Sequence, residues 1–221
     1  MEQIKLSQWV YRMSVDQINK IQVKRQFIDG FGYSHYRGRM PSWNRSHPES
    51  HISDYGMAIS LFRVPDGAEV CADVGCGPFC GIFAVRLWKT MYAIDPLWHA
   101  YESSNLIICP NESIKFIEDY AQMFSLPEKA DVIFSINALN HSGDLEKSIE
   151  NIMSNLNPGG LFFLHLNHRL SRELNSKHPM EVSEESIENI LKKYNVVEKM
   201  WKPDPLQSGK GRPTIVATLK A

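Results

Sequence analysis

The residues of this sequence with the clearest chemical potential lie in the segment AEVCADVGCGPFCG, which runs from Ala68 to Gly81. The apolar run Val70–Val74 predicts a buried strand, and Gly75 and Gly77 predict a tight loop directly after it. Glycines in such a loop let backbone N–H groups approach a ligand without interference from Cβ atoms. The pattern alone is weak evidence of a binding site, because tight turns also need glycine for conformational reasons.

A second acidic residue narrows the chemistry of this loop. Asp95 ends the next strand-like run, Met91–Ile94, about twenty residues after the glycines. An acid at that position accepts hydrogen bonds from the two hydroxyls of a ribose, whereas an ordinary strand-end aspartate would simply face solvent. Because the glycine loop precedes it, Asp95 favours a ligand that contains a nucleoside.

The spacing of the loop separates two kinds of nucleoside-binding protein. A dinucleotide fingerprint reads G-x-G-x-x-G, but here Cys80 stands at the third glycine position and Asp73 precedes the loop. The segment resembles the first motif of class I S-adenosylmethionine-dependent methyltransferases. MYAIDPLW resembles their second motif, EDYAQMFSLPEKADVIFSINALNH resembles their adenine-side segment and fourth strand, and LNPGGLFFLHL resembles the turn into their fifth strand.

The resemblance implies a fold, a cofactor and a set of binding residues. The implied fold is α/β, with a Rossmann-like seven-stranded, mostly parallel sheet, an antiparallel last strand and helices on both faces. The implied cofactor is S-adenosylmethionine, with Asp95 on its ribose, Tyr120 and Ala121 along its adenine and Asn137 near its sulfonium. The full set of implied cofactor-binding residues is Asp73, Gly75, Cys76, Gly77, Asp95, Pro96, Tyr120, Ala121 and Asn137.

The elements that must position these residues follow from alternating apolar runs and amphipathic stretches, which are typical of βαβ units. A hairpin at the end of the chain, formed by Asn195–Trp201 and Thr214–Leu219, agrees with the implied antiparallel strand. The sequence Asn157-Pro158-Gly159-Gly160 predicts a helix stop and a turn. The predicted strands are Val70–Val74, Met91–Ile94, Ile114–Ile117, Val132–Ile136 and Leu161–Leu166, and the predicted helices are Phe79–Trp88, Leu97–Ser103, Asp144–Leu156 and one capped by Ser183.

The first sixty residues have a different character, so we expect residues 1–60 to form a helical extension and a substrate lid, and residues 61–221 to form the cofactor-binding domain. Aromatic and arginine side chains between Tyr33 and His51 suit a lid that excludes water and binds an anion, although a solvated basic loop would have the same composition. The candidate substrate residues are Tyr33, Tyr36, Arg37, Arg39, Trp43 and His168.

The candidate general base is His141, which follows the predicted fourth strand; the alternative is a loop histidine in contact with water. The segment Asn137-Ala138-Leu139-Asn140 lacks the Asp/Asn-Pro-Pro-Tyr/Phe pattern of DNA amino-methylating enzymes, which argues against a base amine as acceptor. We therefore expect methylation of an oxygen or nitrogen of a small polar metabolite, with anionic and sugar-like acceptors both open. The alternatives are a non-catalytic nucleoside- or partner-binding module and an NAD-dependent oxidoreductase.

Length, charge and cysteine content set further limits. A chain of 221 residues suits one α/β core with a modest extension. The 24 Lys and Arg balance 25 Asp and Glu, so net charge gives no reason to expect nucleic acid or an anionic membrane as partner. Without a leader-like start or a membrane-length apolar run, we expect a cytoplasmic protein. The four cysteines are expected to be reduced, and their spacing predicts no metal site.

Overall fold

The computed structural model describes residues 64–77, 80, 82–83, 86–103, 112–167, 182–203 and 213–221. The predicted extension and lid within residues 1–60, residues 79, 81, 84 and 85 of the predicted helix Phe79–Trp88 and the loop between the last two strands lie outside these residues. Among the described residues, no helix is long and apolar enough to cross a membrane.

The described residues form one seven-stranded sheet with the order β3-β2-β1-β4-β5-β7-β6. The strands from β1 to β5 pair in parallel, and β7 lies antiparallel between β5 and β6. Their bounds are β1 Val70–Val74, β2 Thr90–Ile94, β3 Ile114–Ile117, β4 Ala130–Ile136, β5 Leu156–Asn167, β6 Asn195–Pro203 and β7 Pro213–Lys220. The predicted sheet, including its antiparallel last strand, is confirmed.

Apolar side chains bury both faces of this sheet, which is why the central strands read as nearly continuous apolar runs. On one face, side chains such as Ala72, Ile133 and Phe162 pack against helices α2 (Leu145–Ser154) and α3 (Glu184–Leu191). On the other face, Phe134 and Phe163 belong to a cluster that also contains Ile82, Phe83 and Trp88. The short helix α1 (Trp98–Ser103) and a 3₁₀ turn (Leu139–His141) are further described helical elements. Ile82 and Phe83 are helical as well, as predicted.

Local side-chain caps start the two longer helices. Asp144 accepts the Lys147 N–H at 3.0 Å before α2. Before α3, Ser183 and Ser186 each accept the backbone N–H of the other, which forms a capping box. These caps satisfy N–H groups that would otherwise lack partners, and they fix where each helix begins.

The predicted turn at Asn157-Pro158-Gly159-Gly160 is wrong, although α2 does end just before it. These four residues belong to β5, which begins at Leu156. The β4–β5 register shifts between Ala130 and Val132, so the extra residues are accommodated as an irregularity within the strand. Gly159 and Gly160 exchange backbone hydrogen bonds with Ala221, which ties this segment to the end of the chain. A second correction concerns residues 86–88, which are not helical although the prediction placed them at the end of a helix.

Candidate active site

The glycine loop lies against two neighbouring strand ends. The N–H groups of Gly75 and Cys76 both donate to the Ile94 carbonyl at the end of β2, at 2.8 and 3.3 Å. Gly75 has φ 76° and Gly77 has φ 58°, a left-handed backbone that strongly favours glycine. A Cβ built on Gly75 would lie 2.2 Å from the Cβ of Ala138, just after β4. The loop therefore fills the space between the ends of β2 and β4 and has no room for a side chain at Gly75.

Asp95 lies at the predicted ribose position and also holds the glycine loop in place through its hydrogen bonds. Its Oδ2 accepts the Gly77 N–H at 3.0 Å, and its Oδ1 accepts the Leu97 N–H at 3.0 Å, so Pro96 lies in a turn closed by the carboxylate. The side chain is only 5% exposed. Burial raises the pKa of Asp95 to about 6, against the lowering effect of the Leu97 and Gly77 N–H groups. Each carboxylate oxygen retains a lone pair beyond its backbone bond, which a hydroxyl could occupy.

Asp73 places a second acidic group beside the loop. Its side chain is buried in β1, and among the described residues its Oδ2 has no hydrogen-bond partner. Burial, and secondly the charge of Asp95, raises the pKa of Asp73 to about 8. A ligand with a cationic or hydroxyl group would stabilise these two carboxyl groups, because it would supply the positive charge or hydrogen-bond donor that the described residues do not give to Asp73 Oδ2.

The predicted adenine-side segment is an exposed turn fastened to α2. The Tyr120 carbonyl accepts the N–H groups of Met123 and Phe124, and the Tyr120 side chain is 57% exposed. Asn151 of α2 donates from Nδ2 to the carbonyls of Ala121 and Phe124, at 3.1 and 3.0 Å. An exposed aromatic ring on a fixed turn is able to stack on a planar ligand. Whether Tyr120 and Ala121 contact adenine stays a prediction.

Two further contacts connect segments at this edge of the sheet. Trp98, in the first turn of α1, stacks almost parallel on Phe116 of β3. The Gln122 amide donates to the Ser142 carbonyl, which connects the adenine-side turn to the segment after the 3₁₀ turn. These contacts link segments that follow β2, β3 and β4, so the edge is one connected structure.

Asn137 directly follows β4 and has φ 52°, a left-handed conformation that asparagine tolerates better than most residues. Its N–H donates to the His165 carbonyl of β5 at 2.9 Å, and its Oδ1 accepts the Nδ2 of Asn167 at 2.6 Å. His141 lies at the end of the 3₁₀ turn, and its N–H donates to the Ala138 carbonyl at 3.0 Å. The structure thus places Asn137 beside the glycine loop, while the role of His141 as a base stays a prediction.

The structure brings the predicted cofactor residues to one edge of the sheet. The predicted substrate residues Tyr33, Tyr36, Arg37, Arg39, Trp43 and His168 lie outside the described residues. Sequence reasoning missed the amide side chains of Asn151 and Asn167, which fix the segments at this edge. Neither belongs to a recognisable motif, so only their contacts identify them.

Residues 72–164 match the family model described as a methyltransferase domain. Residues 72–164 therefore carry a methyltransferase domain. This confirms the predicted family, its Rossmann-like fold and the enzyme class, with S-adenosylmethionine as the cofactor of that class. The NAD-dependent alternative therefore lacks support.

Solved structures with the same fold differ widely from this chain in sequence. The N-methyltransferase NodS from Bradyrhizobium japonicum, crystallised with S-adenosyl-L-homocysteine, is 17% identical with a TM-score of 0.59, and the match covers 80% of this chain and 90% of that chain. A Burkholderia thailandensis 1,6-didemethyltoxoflavin-N1-methyltransferase is 16% identical with a TM-score of 0.59, covering 88% and 86%.

A carbon methyltransferase, CurJ, is 14% identical with a TM-score of 0.52, covering 78% of this chain and 54% of that chain. No curated protein sequence matches the chain. At these levels of identity the structural neighbours establish the fold of the chain and leave its methyl acceptor to be identified.

Proposed function

We propose that the protein transfers a methyl group from S-adenosylmethionine to an oxygen or nitrogen of a small polar metabolite. The main support for this proposal is the glycine turn between Gly75 and Gly77. Asp95 holds one end of the turn by accepting the Gly77 N–H, and Ala138 packs against the other end at Gly75. The turn brings bare backbone to the carboxyl edge of a parallel sheet, at the point between β1 and β4 where the strand order reverses, which is where ligands of such sheets bind.

The residues at this edge fit the chemical groups of the cofactor. Asp95 would hold the ribose hydroxyls through the lone pairs that Gly77 and Leu97 leave available. The unpartnered Oδ2 of Asp73 would accept a hydrogen bond from the cationic amino acid portion of the cofactor or from a bridging water. Tyr120, exposed on its fixed turn, would cover the adenine. The cofactor supplies a methyl group already activated on a positively charged sulfonium.

The protein then has mainly to align an acceptor with that methyl group, because the leaving group is built into the cofactor. His141 is the candidate base for an acceptor that must lose a proton, since it follows the same strand as Asn137. The Burkholderia thailandensis neighbour, which was crystallised with 1,6-didemethyltoxoflavin bound, supports a small acceptor. The proposed lid residues Tyr33, Tyr36, Arg37, Arg39 and Trp43, together with His168, would contact the acceptor; anionic and sugar-like metabolites are the classes they suit.

A labelled-methyl screen tests this function. Purified protein is incubated with S-adenosylmethionine labelled in the methyl group and with fractions of a small-molecule extract, and labelled products are resolved by chromatography. We expect transfer by the wild type and by Asp66→Ala, an exposed aspartate in the turn before β1, and strongly reduced transfer by Asp95→Ala. Tight cofactor binding with no labelled product from any fraction would instead favour the non-catalytic binding module.

A further inference from the structure

Three polar side chains form a hydrogen-bonded line across the ends of β4, β5 and β7. The Thr214 hydroxyl at the start of β7 donates to Oδ1 of Asn167 at 3.2 Å. Asn167, the last residue of β5, donates from Nδ2 to Oδ1 of Asn137 at 2.6 Å. Thr214 is fully buried and Asn167 is only 7% exposed, so these bonds are shielded from water over most of their length.

The direction of this line follows from the buried hydroxyl at its inner end. Among the described residues, the Asn167 oxygen is the acceptor for the Thr214 proton, and a reversed line would bury a hydroxyl donor without a partner. Donation by Thr214 makes the Asn167 oxygen an acceptor and therefore turns the Asn167 N–H₂ group toward Asn137. Asn137 must then accept with its own oxygen, which leaves its two N–H bonds on the side away from Asn167.

The backbone of Asn137 is fixed independently of this line. Its left-handed φ of 52° and its N–H bond to the His165 carbonyl hold the residue at the end of β4. The next residue, Ala138, lies against Gly75 of the cofactor loop. The Asn137 carboxamide is therefore held at both its backbone and its oxygen, next to the place where the cofactor's reactive end is proposed to lie.

We propose that Thr214 and Asn167 are positioning residues that keep the N–H₂ group of Asn137 turned toward the ligand, so that Asn137 binds a hydrogen-bond-accepting oxygen. That oxygen belongs to the amino acid carboxylate of the cofactor or to the methyl acceptor. This assignment rests on the proposed function for the identity of the ligand. The direction of the hydrogen-bonded line itself can be tested without any ligand.

The direction is tested by NMR of the side-chain amide groups in ¹⁵N-labelled protein. The Asn137 and Asn167 signals are identified by their disappearance in Asn137→Ala and Asn167→Ala. We expect the Asn167 N–H₂ protons to exchange slowly with solvent and those of Asn137 to exchange rapidly. Thr214→Val removes the hydroxyl at nearly constant volume and should shift both signal pairs, whereas Thr214→Ser keeps the hydroxyl and should restore the wild-type positions. Reversed protection, or unshifted signals in a folded Thr214→Val protein, would overturn the proposal.

Calorimetry with two probes then identifies the source of the oxygen. S-adenosylhomocysteine contains the amino acid carboxylate, and 5′-methylthioadenosine lacks it. If Asn137 binds the carboxylate, Asn137→Ala should weaken S-adenosylhomocysteine about tenfold or more and leave methylthioadenosine unchanged. An equal loss for both probes would mean general damage to the site and would overturn the donor role.

If both affinities are unchanged, the oxygen must lie on the acceptor. Thr214→Val must then lower methyl transfer to the active fraction of the labelled-methyl screen, and Thr214→Ser must restore it; unaltered transfer would overturn the proposal. Failure of the proposed function itself would appear differently, as a wild-type protein that binds neither adenosyl probe while its amide signals still follow the predicted direction.

Discussion

Replacing Gly75 with alanine should damage the cofactor loop, because this position has no room for a Cβ atom. The new Cβ would lie 2.2 Å from the Cβ of Ala138, far inside the normal contact distance of two carbon atoms. The position also has φ 76°, which alanine adopts only at a cost of about 1–2 kcal/mol. The overlap with Ala138 should cost a further 1–3 kcal/mol or so, as overpacked sites do.

Two control variants separate these costs. Gly143 has a similar φ of 78° but nothing within 4 Å of its Cβ position, so Gly143→Ala should show the backbone cost alone. The double variant Gly75→Ala/Ala138→Gly removes the atom that is struck, because the next nearest heavy atom is the Ala138 Cα at 3.6 Å. The double variant should therefore recover the overlap cost and keep the backbone cost.

The assays are urea unfolding for the free energy of unfolding and calorimetry with S-adenosylhomocysteine for the loop. We expect Gly75→Ala to lose about 2–5 kcal/mol of stability in total, or to lose most cofactor affinity if the loop moves instead. Gly143→Ala should lose no more than about 2 kcal/mol and keep its affinity. If Gly75→Ala matches Gly143→Ala in both assays, the close packing of the loop on Ala138 is refuted.

Three further variants test the electrostatics and the supports of the site. Because the pKa of Asp73 is raised to about 8 in the folded protein, the unfolded chain releases this proton first as pH rises from about 4 to 8. Unfolding curves should therefore show Asp73→Asn gaining stability relative to the wild type across that window, and a constant difference would contradict the raised pKa. Asp131 accepts two N–H groups at the start of β1 and the Asn157 amide, so Asp131→Ala should lose about 1.5–3 kcal/mol in urea unfolding at pH 7. Burial raises the pKa of Asp131, but these hydrogen bonds outweigh burial and hold the pKa below its usual range. The stability that Asp131 contributes should therefore be lost as pH falls through the folded pKa. If Asp131→Ala is as stable as the wild type at pH 7, Asp131 does not stabilise the start of β1. Asn151→Ala should weaken S-adenosylhomocysteine binding in calorimetry because it releases the adenine-side turn, whereas Asn189→Ala, at an exposed position of α3, should not. Equal affinities of the two variants would show that the turn does not contribute to cofactor binding.

The sequence predicted those parts of the fold whose signals are local. Val70–Val74 and Ile114–Ile117 were predicted with their observed bounds because each is a short apolar run between polar or turn residues. The capping role of Ser183 was visible because a cap and its partners lie within one helical turn. The prediction was wrong at Asn157-Pro158-Gly159-Gly160, because pairing with β4 and with the chain end overrides the turn preference of these residues.

The candidate site was predicted only where a motif marks it. The glycines and Asp95 could be identified from their order and spacing, but the bond from Gly77 to Asp95 depends on how the two strand ends meet in space. Cys80 illustrates the same limit, because the sequence shows a cysteine at the third glycine position while the structure gives it φ 45°, close to what a glycine would adopt. Asn137 follows β4 and Asn167 ends β5, so no local sequence pattern predicts the contact between their side chains.

The Gly75–Gly77 turn and Asp95 are proposed to bind the adenosyl portion of S-adenosylmethionine. Calorimetric titration of S-adenosylhomocysteine into the wild type and Asp95→Ala tests this binding, with Asp66→Ala as the matched control and NAD as the competing ligand. We expect one saturable site in the wild type and in Asp66→Ala, an affinity roughly 30- to 1,000-fold lower in folded Asp95→Ala, and no heat with NAD. An unchanged affinity in Asp95→Ala, or binding of NAD in place of S-adenosylhomocysteine, would contradict this proposal.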